Sequence, residues 1–143
     1  MQQTMERIAD ILEEELAIYE ELVEISRRLT DVIINGEIEE LDEILNMQQT
    51  MIMSLGRLEE ERAGAASELW RDDLVMTEII EKAEGDLADR LEKLFEDLLD
   101  VVEEQKRLND INSKLIKTNL EYVEFTLGTL TGNKPVHLFD EKA

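Results

Sequence analysis

The sequence predicts an all-α protein: an elongated antiparallel three-helix bundle or coiled coil, with a short helical connector before a long C-terminal helix. Apolar residues recur every three or four positions over most of the 143 residues. Proline occurs once, only 4% of the residues are aromatic, and 43% are hydrophobic. This composition favours long helices that pack through aliphatic side chains.

The first predicted helix starts near the N-terminus and ends at Asn35-Gly36, because both residues tolerate the left-handed conformation of a helix C-cap. A second helix follows at once, so the two are predicted to be antiparallel neighbours. Met47 and Met51 lie four residues apart in it and are predicted to fill the seam. The periodic apolar positions are Met5, Ile8, Leu12, Leu16, Tyr19, Leu22, Ile25, Leu29 and Ile33, then Ile38, Leu41, Leu45, Ile52, Leu55 and Leu58.

Residues 62–73 break the apolar period and are predicted to form a connector. The single tryptophan, Trp70, lies in this connector, and the most direct interpretation is that it anchors the connector onto the bundle. Thr77 is then expected to cap a short helix that reaches Glu84. The connector as a whole matches no motif that would assign it a role.

The longest predicted helix begins at Gly85 and continues to about Leu130, with Gly132 just beyond its end. We therefore expect a helical bundle domain over residues 1–131. Residues 132–143 are expected to form a flexible tail.

The charge of the chain excludes several classes of function. Acidic residues number 36 against 15 basic ones, for a formal charge of −21. A surface this acidic repels nucleic acids and anionic lipids, so we expect neither as a partner. The N-terminus lacks the pattern of a signal peptide, and no apolar run approaches the roughly 18 residues of a membrane span. The chain is predicted to be cytoplasmic, without membrane insertion.

Catalytic and metal chemistry also lack the residues they need. There is no cysteine, and the single histidine, His137, lies in the predicted tail. A di-iron bundle requires two Glu-x-x-His pairs, and a phosphotransfer bundle requires a histidine on a helix. We therefore predict no catalytic residues, no metal and no cofactor, and do not expect an enzyme.

The second half of the long helix is apolar around too much of its circumference for an ordinary bundle helix. On a wheel of about 100° per residue its apolar residues cover roughly 220°, whereas a core-facing stripe is somewhat over 100° wide. Asn109, Asn112 and Asn119 fall inside this arc. The apolar residues of the arc are Ile111, Leu115, Ile116, Leu120, Tyr122, Val123, Phe125, Leu127 and Leu130.

Length and charge set the same region apart. The three long helices would span about 50, 39 and 68 Å, so the third must extend beyond the others. Residues 86–104 carry eight acids and two bases, whereas residues 105–120 carry one acid and four bases. An apolar overhang needs a partner: another copy, the tail or a client. The asparagines would either fix the register of a homodimer seam or satisfy polar groups of a bound segment.

Three segments resemble a known family in order and spacing. They are "EELAIYEELVEISRRLTDVIINGEIEEL" at 14–41, "LEEERA" at 58–63 and "NDINSKLIKTNLEY" at 109–122. Together the chain resembles a FlgN-type flagellar export chaperone over about residues 5–130. Glu37 departs from the pattern, since an aspartate is expected there, and the connector over 63–85 has no counterpart.

The resemblance implies a cytoplasmic type III export chaperone. Such a protein binds the C-terminal helical segments of hook–filament junction proteins, prevents their premature assembly and delivers them to the flagellar export gate. An amphipathic client helix would complete a bundle with the apolar arc. Lys114 and Lys117 would contact acidic groups at the rim, and Tyr122 is a candidate contact for the gate. The predicted client-binding residues are Asn109, Asn112, Leu115, Ile116, Asn119, Leu120, Val123 and Leu127.

Two alternatives remain open at this point. One is a structural coiled-coil protein that only associates with itself, as a homodimer. The other is a secretion chaperone or adaptor for a different client. Size measurements on the protein alone and with candidate clients would separate them.

Overall fold

The structure is a computed structural model that describes residues 1–69 and 75–132. Within these ranges it contains four helices and no strand, which confirms the all-α prediction. Trp70, His137 and the predicted tail beyond Gly132 lie outside the described residues. The helices are α1 (Gln2–Asn35), α2 (Ile38–Ser67), α3 (Met76–Lys82) and α4 (Gly85–Thr131).

The turn between α1 and α2 depends on Gly36. Its φ of 70° lies in the left-handed region that glycine adopts at little cost. The Gly36 N–H donates to the Ile33 carbonyl at 3.3 Å, and the Glu37 N–H donates to the Val32 carbonyl at 3.1 Å. These are the two hydrogen bonds of a Schellman motif, so the predicted end of the first helix is confirmed.

α1 is the central helix, since it packs against both α2 and α4. Its direction relative to α2 follows from two ion pairs. Arg28 contacts Glu40 close to the turn at 3.3 Å, and Glu15 contacts Arg62 far from it at 2.9 Å. The two helices are therefore antiparallel, as the short connection predicts.

α4 runs parallel to α1, with a nearly constant register. Arg90 donates to Asp10 at 2.9 Å, and Gln105 donates to Ser26 at 3.0 Å. Asn35, where α1 ends, is thus level with about residue 115 of α4. Since α4 continues to Thr131, it extends about 24 Å past the end of α1. The predicted overhang is present.

Two predicted boundaries in the connector are wrong. α2 continues to Ser67 rather than ending near residue 62, because Ala65 and Ala66 are buried and carry the packing face onward without large side chains. α3 begins at Met76, preceded by Val75, and its first residue has no side-chain cap. Thr77 lies inside the helix and is exposed, so it does not cap it.

Two apolar clusters are separated along the bundle. The first core joins the start of α1, the end of α2, α3 and the start of α4. The second core lies near the α1–α2 turn. The buried members of the first are Met5, Ile8, Ala9, Leu12, Ala65, Ala66, Met76, Ile79, Leu91 and Leu94, and those of the second are Leu29, Val32, Ile33 and Ile44.

Candidate binding surface at the open end of the bundle

The last part of α4 exposes large apolar side chains that no described element covers. Their exposed fractions range from 38% at Ile116 to 78% at Leu130. Fully burying a side chain of this size is worth about 1.5–3 kcal/mol, so the surface favours association with an apolar partner. The exposed residues are Ile116, Leu120, Tyr122, Val123, Phe125, Leu127 and Leu130.

A groove of about 430 Å³ lies where α4 passes the α1–α2 turn. We call it the end groove. α4 forms one wall, and the turn with the adjoining ends of α1 and α2 forms the other. Its lining is mostly apolar, with Glu37 as the only carboxylate. The lining residues are Val32, Ile33, Gly36, Glu37, Ile38, Leu41, Ile116, Asn119, Leu120 and Val123.

Four predicted client-binding residues, Ile116, Asn119, Leu120 and Val123, line the end groove together. Leu127 is 57% exposed and continues their row one turn farther along α4. The opposite wall was missed by sequence reasoning, because its residues belong to the ordinary apolar period of α1 and α2. Only the position of α4 beside the turn distinguishes them.

The remaining predicted residues lie outside the groove. Leu115 is half-buried and packs against the second core, so it holds α4 against α1. Lys114 and Lys117 are exposed, but on the helical wheel they lie about 170° and 110° from the middle of the groove-lining residues. Tyr122 is 71% exposed and lies about 110° away on the other side.

Asn112 differs from expectation, because its amide is satisfied inside the bundle. It is only 4% exposed. Its Nδ2 donates to the Ser26 carbonyl at 3.0 Å, and its Oδ1 accepts from the Thr30 hydroxyl at 2.6 Å. The expectation of an amide left free for an incoming segment is therefore wrong for this residue.

Asn112 belongs to a polar layer beside the second core. The Ser26 hydroxyl oxygen accepts hydrogen bonds from Gln48 of α2 and Gln105 of α4, each at 3.0 Å. Ser26 is fully buried, so the layer links all three long helices at one level. A buried polar contact of this kind fixes register. The layer consists of Ser26, Thr30, Gln48, Gln105 and Asn112.

The exposed apolar surface continues from the end groove along the space between α2 and α4. Gln48 and Gln105 are level, because both bond to Ser26. One turn farther from the α1–α2 turn, Ile52 and Val102 are therefore level, with exposed fractions of 58% and 38%. One turn nearer to it, the exposed residues Leu45 and Asn109 are level with each other. We call this surface, which also includes Leu99, the interhelix strip.

Among the described residues, no helix is long and apolar enough to cross a membrane. The same part of the chain contains no cluster of acidic or histidine side chains arranged to hold a metal ion. The site is an elongated apolar surface beside a helical bundle, and exposed surfaces of this kind favour association with an apolar partner. The fold is thus an all-α bundle, and its exposed apolar surface is typical of helical binding proteins.

Comparison with known protein families identifies the family of this chain. The family model described as FlgN protein matches residues 1–136. The chain therefore belongs to the FlgN family, and it is a flagellar export chaperone.

One curated relative is the uncharacterized protein YvyG of Bacillus subtilis strain 168. It is 25% identical over 115 residues, which cover 79% of this chain and 72% of the relative. No solved structure matches the chain significantly.

Proposed function

We propose that the end groove binds the C-terminal helical segment of a hook–filament junction protein. The chaperone would hold this segment in the cytoplasm, prevent its premature assembly and deliver it to the flagellar export gate. The observation that carries the proposal is the end groove itself, an apolar channel open to solvent between α4 and the α1–α2 turn. Membership of the FlgN family supports an export substrate as the occupant.

The spacing of the groove residues suits a helical client. Ile116, Leu120 and Val123 form a row at intervals of four and three residues, and Leu127 extends it by another turn. From Ile116 to Leu127 the row is about 17 Å long, or three helical turns. An amphipathic client helix laid against this row would also contact Ile38, so that it completes a bundle at the open end.

A longer client would continue into the interhelix strip. Leu45, Ile52 and Val102 prolong the apolar surface beyond the groove on facing helices. Asn109 is exposed at the level of Leu45, and in this proposal its amide bonds a polar group of the client. In the groove itself, Asn119 has the corresponding role of fixing register. Contacts from Lys114 and Lys117 to acidic client groups stay predictions.

Tyr122 suits a contact with a second protein. Its side chain is 71% exposed, and it lies on a different side of α4 from the groove. A client in the end groove would therefore leave the phenol accessible. On this basis we propose Tyr122 as a contact for the export gate.

The test is isothermal calorimetry with a C-terminal peptide from a junction protein. The variant Leu120→Glu/Val123→Glu places two carboxylates in the groove. Losing the burial of two apolar side chains, at about 1.5–3 kcal/mol each, predicts affinity lower by at least about a hundredfold. The control Met53→Glu/Phe125→Glu adds the same charge at similarly exposed apolar positions outside the groove. It should bind normally.

Both variants are first shown to be folded by thermal unfolding. Normal binding by the folded groove variant would place the client elsewhere. Light scattering of the client-free protein tests the alternative of self-association. A dimer that becomes a monomer only in the groove variant, together with no peptide binding by the unmodified chain, would favour a structural coiled coil.

A further inference from the structure

A second groove lies between α1 and α2, and it is not part of the proposed client site. Its volume is about 490 Å³. We call it the side groove. Its lining residues are Ile18, Glu21, Glu43, Asn46, Met47, Thr50, Met51 and Ser54.

The side groove faces away from α4. Arg27 and Thr30 mark the side of α1 that contacts α4, through Glu104 and Asn112 respectively. On a wheel of about 100° per residue, Ile18 and Glu21 lie roughly half a turn from that side. The side groove and the end groove are therefore separate surfaces, and both can be occupied at once.

The floor of the side groove is apolar and adaptable. Ile18, Met47 and Met51 are only half-buried, although the two methionines were expected to fill the seam. Methionine is unbranched and polarizable, and it adjusts to the shape of a partner. Along α2 the groove extends from Glu43 to Ser54, about 17 Å, which matches three turns of a docked helix.

The rim of the side groove is negative. Glu21 and Glu43 are exposed, and neither forms an ion pair with any described residue. Residues 13–24 of α1 carry six acids and no base, and residues 38–56 of α2 carry four acids and no base. Some of these carboxylates are paired elsewhere, as Glu15 is with Arg62, but the two at the rim are available.

We propose that the side groove docks an amphipathic helix of another protein, with an apolar stripe flanked by lysines or arginines. The methionine floor would receive the stripe, and the two rim glutamates would pair with the basic flanks. A second copy of this chain is disfavoured, because its net charge of −21 would bring acid against acid. Anionic membranes and nucleic acids are disfavoured for the same reason.

The test uses the full chain labelled with ¹³C on its methionine methyl groups. The probe is a synthetic helical peptide of about 14 residues, with leucines on one face and lysines on both flanks. When this peptide is added, the methyl spectrum of the labelled protein should show saturable shifts at Met47 and Met51. Met5 and Met76 are buried in the first core and should not respond. Met53 is 70% exposed on the same helix outside the groove, so it reports any unspecific attraction.

Two charge variants sharpen the result. Glu21→Gln/Glu43→Gln should weaken probe binding about tenfold, the effect of losing two partly exposed ion pairs. Glu92→Gln/Glu96→Gln removes the same charge from exposed positions on α4 and should leave binding unchanged. The Leu120→Glu/Val123→Glu variant should also bind the probe normally. The test of the side groove is therefore independent of the test of the client site.

Three outcomes would overturn the proposal. The first is unspecific attraction, which would be shown if Met53 shifts as strongly as Met47 and Met51, or if the α4 control variant weakens binding as much as the rim variant. Shifts at Met47 and Met51 caused by the junction-protein peptide would assign the groove to the client. Shifts that depend only on protein concentration would assign it to a second copy.

Discussion

The two ends of α4 carry the same apolar period but meet opposite environments. At the N-terminal end of α4, which we call the closed end, Leu91 and Leu94 are 0% and 8% exposed, because α1, α2 and α3 surround them. At the open end, Leu120 and Leu127 are 42% and 57% exposed. The side chains are alike, and only the neighbouring helices differ. The comparison shows that the same apolar period is buried at one end of α4 and exposed at the other, and under the proposed function a client helix would cover the exposed end.

The two ends also differ in whether their polar side chains are buried. Near the closed end, Glu15 is buried beside Arg62, whose Nε donates to it at 2.9 Å. Burial raises the pKa of Glu15 despite the attraction of that guanidinium. In the end groove, at the open end, Glu37 and Asn119 are exposed to solvent. The closed end therefore buries a polar group, whereas the polar groups of the end groove are in contact with solvent.

The largest expected difference concerns stability. Leu91→Ala should lower the free energy of unfolding by about 2–5 kcal/mol, because it leaves a cavity in the first core. Leu120→Ala should cost less than about 1 kcal/mol, because that side chain is already partly in water. Urea unfolding of both variants measures the contrast. Equal losses would mean that the end of α4 is packed against something in the free protein.

A smaller contrast is expected between two asparagines seven residues apart. Asn112→Leu removes one hydrogen-bond partner from the Ser26 carbonyl and one from the Thr30 hydroxyl, and should cost about 1–3 kcal/mol. Asn119→Leu lies in the exposed end groove and should change stability by less than about 0.5 kcal/mol. Thermal and urea unfolding provide the measurement. A neutral Asn112→Leu would show that the polar layer contributes nothing to stability.

The smallest effects on folding stability are expected from replacing two glutamates whose pKa values are shifted in opposite directions. The pKa of Glu15 is raised by burial, so its protonated form favours folding, and its contribution is lost as pH rises through the raised pKa. The pKa of Glu104 is lowered to about 2, chiefly by its hydrogen bonds with Arg107, so its contribution is present above pH 4.5 and lost as pH falls toward 2.

Unfolding of Glu15→Gln and Glu104→Gln between pH 2 and pH 7 tests these signs. Relative to the unmodified chain, Glu15→Gln should gain stability as pH rises above 4.5. Glu104→Gln should be the less stable chain at neutral pH, and that deficit should shrink as pH falls below 4.5. Parallel pH profiles for the two variants would contradict the assignment.

Much of the fold was predictable from local signals. The Asn35-Gly36 turn and the start of α4 at Gly85 were predicted correctly, because glycine marks positions where φ is positive. The wide apolar arc correctly indicated a solvent-exposed surface at Ile116, Leu120 and Val123. The end of α2 was missed, because Ala65 and Ala66 give only a weak apolar signal although both are buried.

By itself, then, the sequence determined the helices, the α1–α2 turn and which stretch of α4 is too apolar for a bundle, since these follow from residue spacing and backbone preference. The tertiary structure decided that α1 is central, that Asn112 is satisfied by Ser26 and Thr30, and that two separate grooves flank the bundle. The contacts of Asn112 depend on register between residues 82 and 86 positions apart, and the grooves depend on how neighbouring helices pack. Helical periodicity leaves both open. A period shows which face of a helix is apolar, but only packing shows which helix covers it.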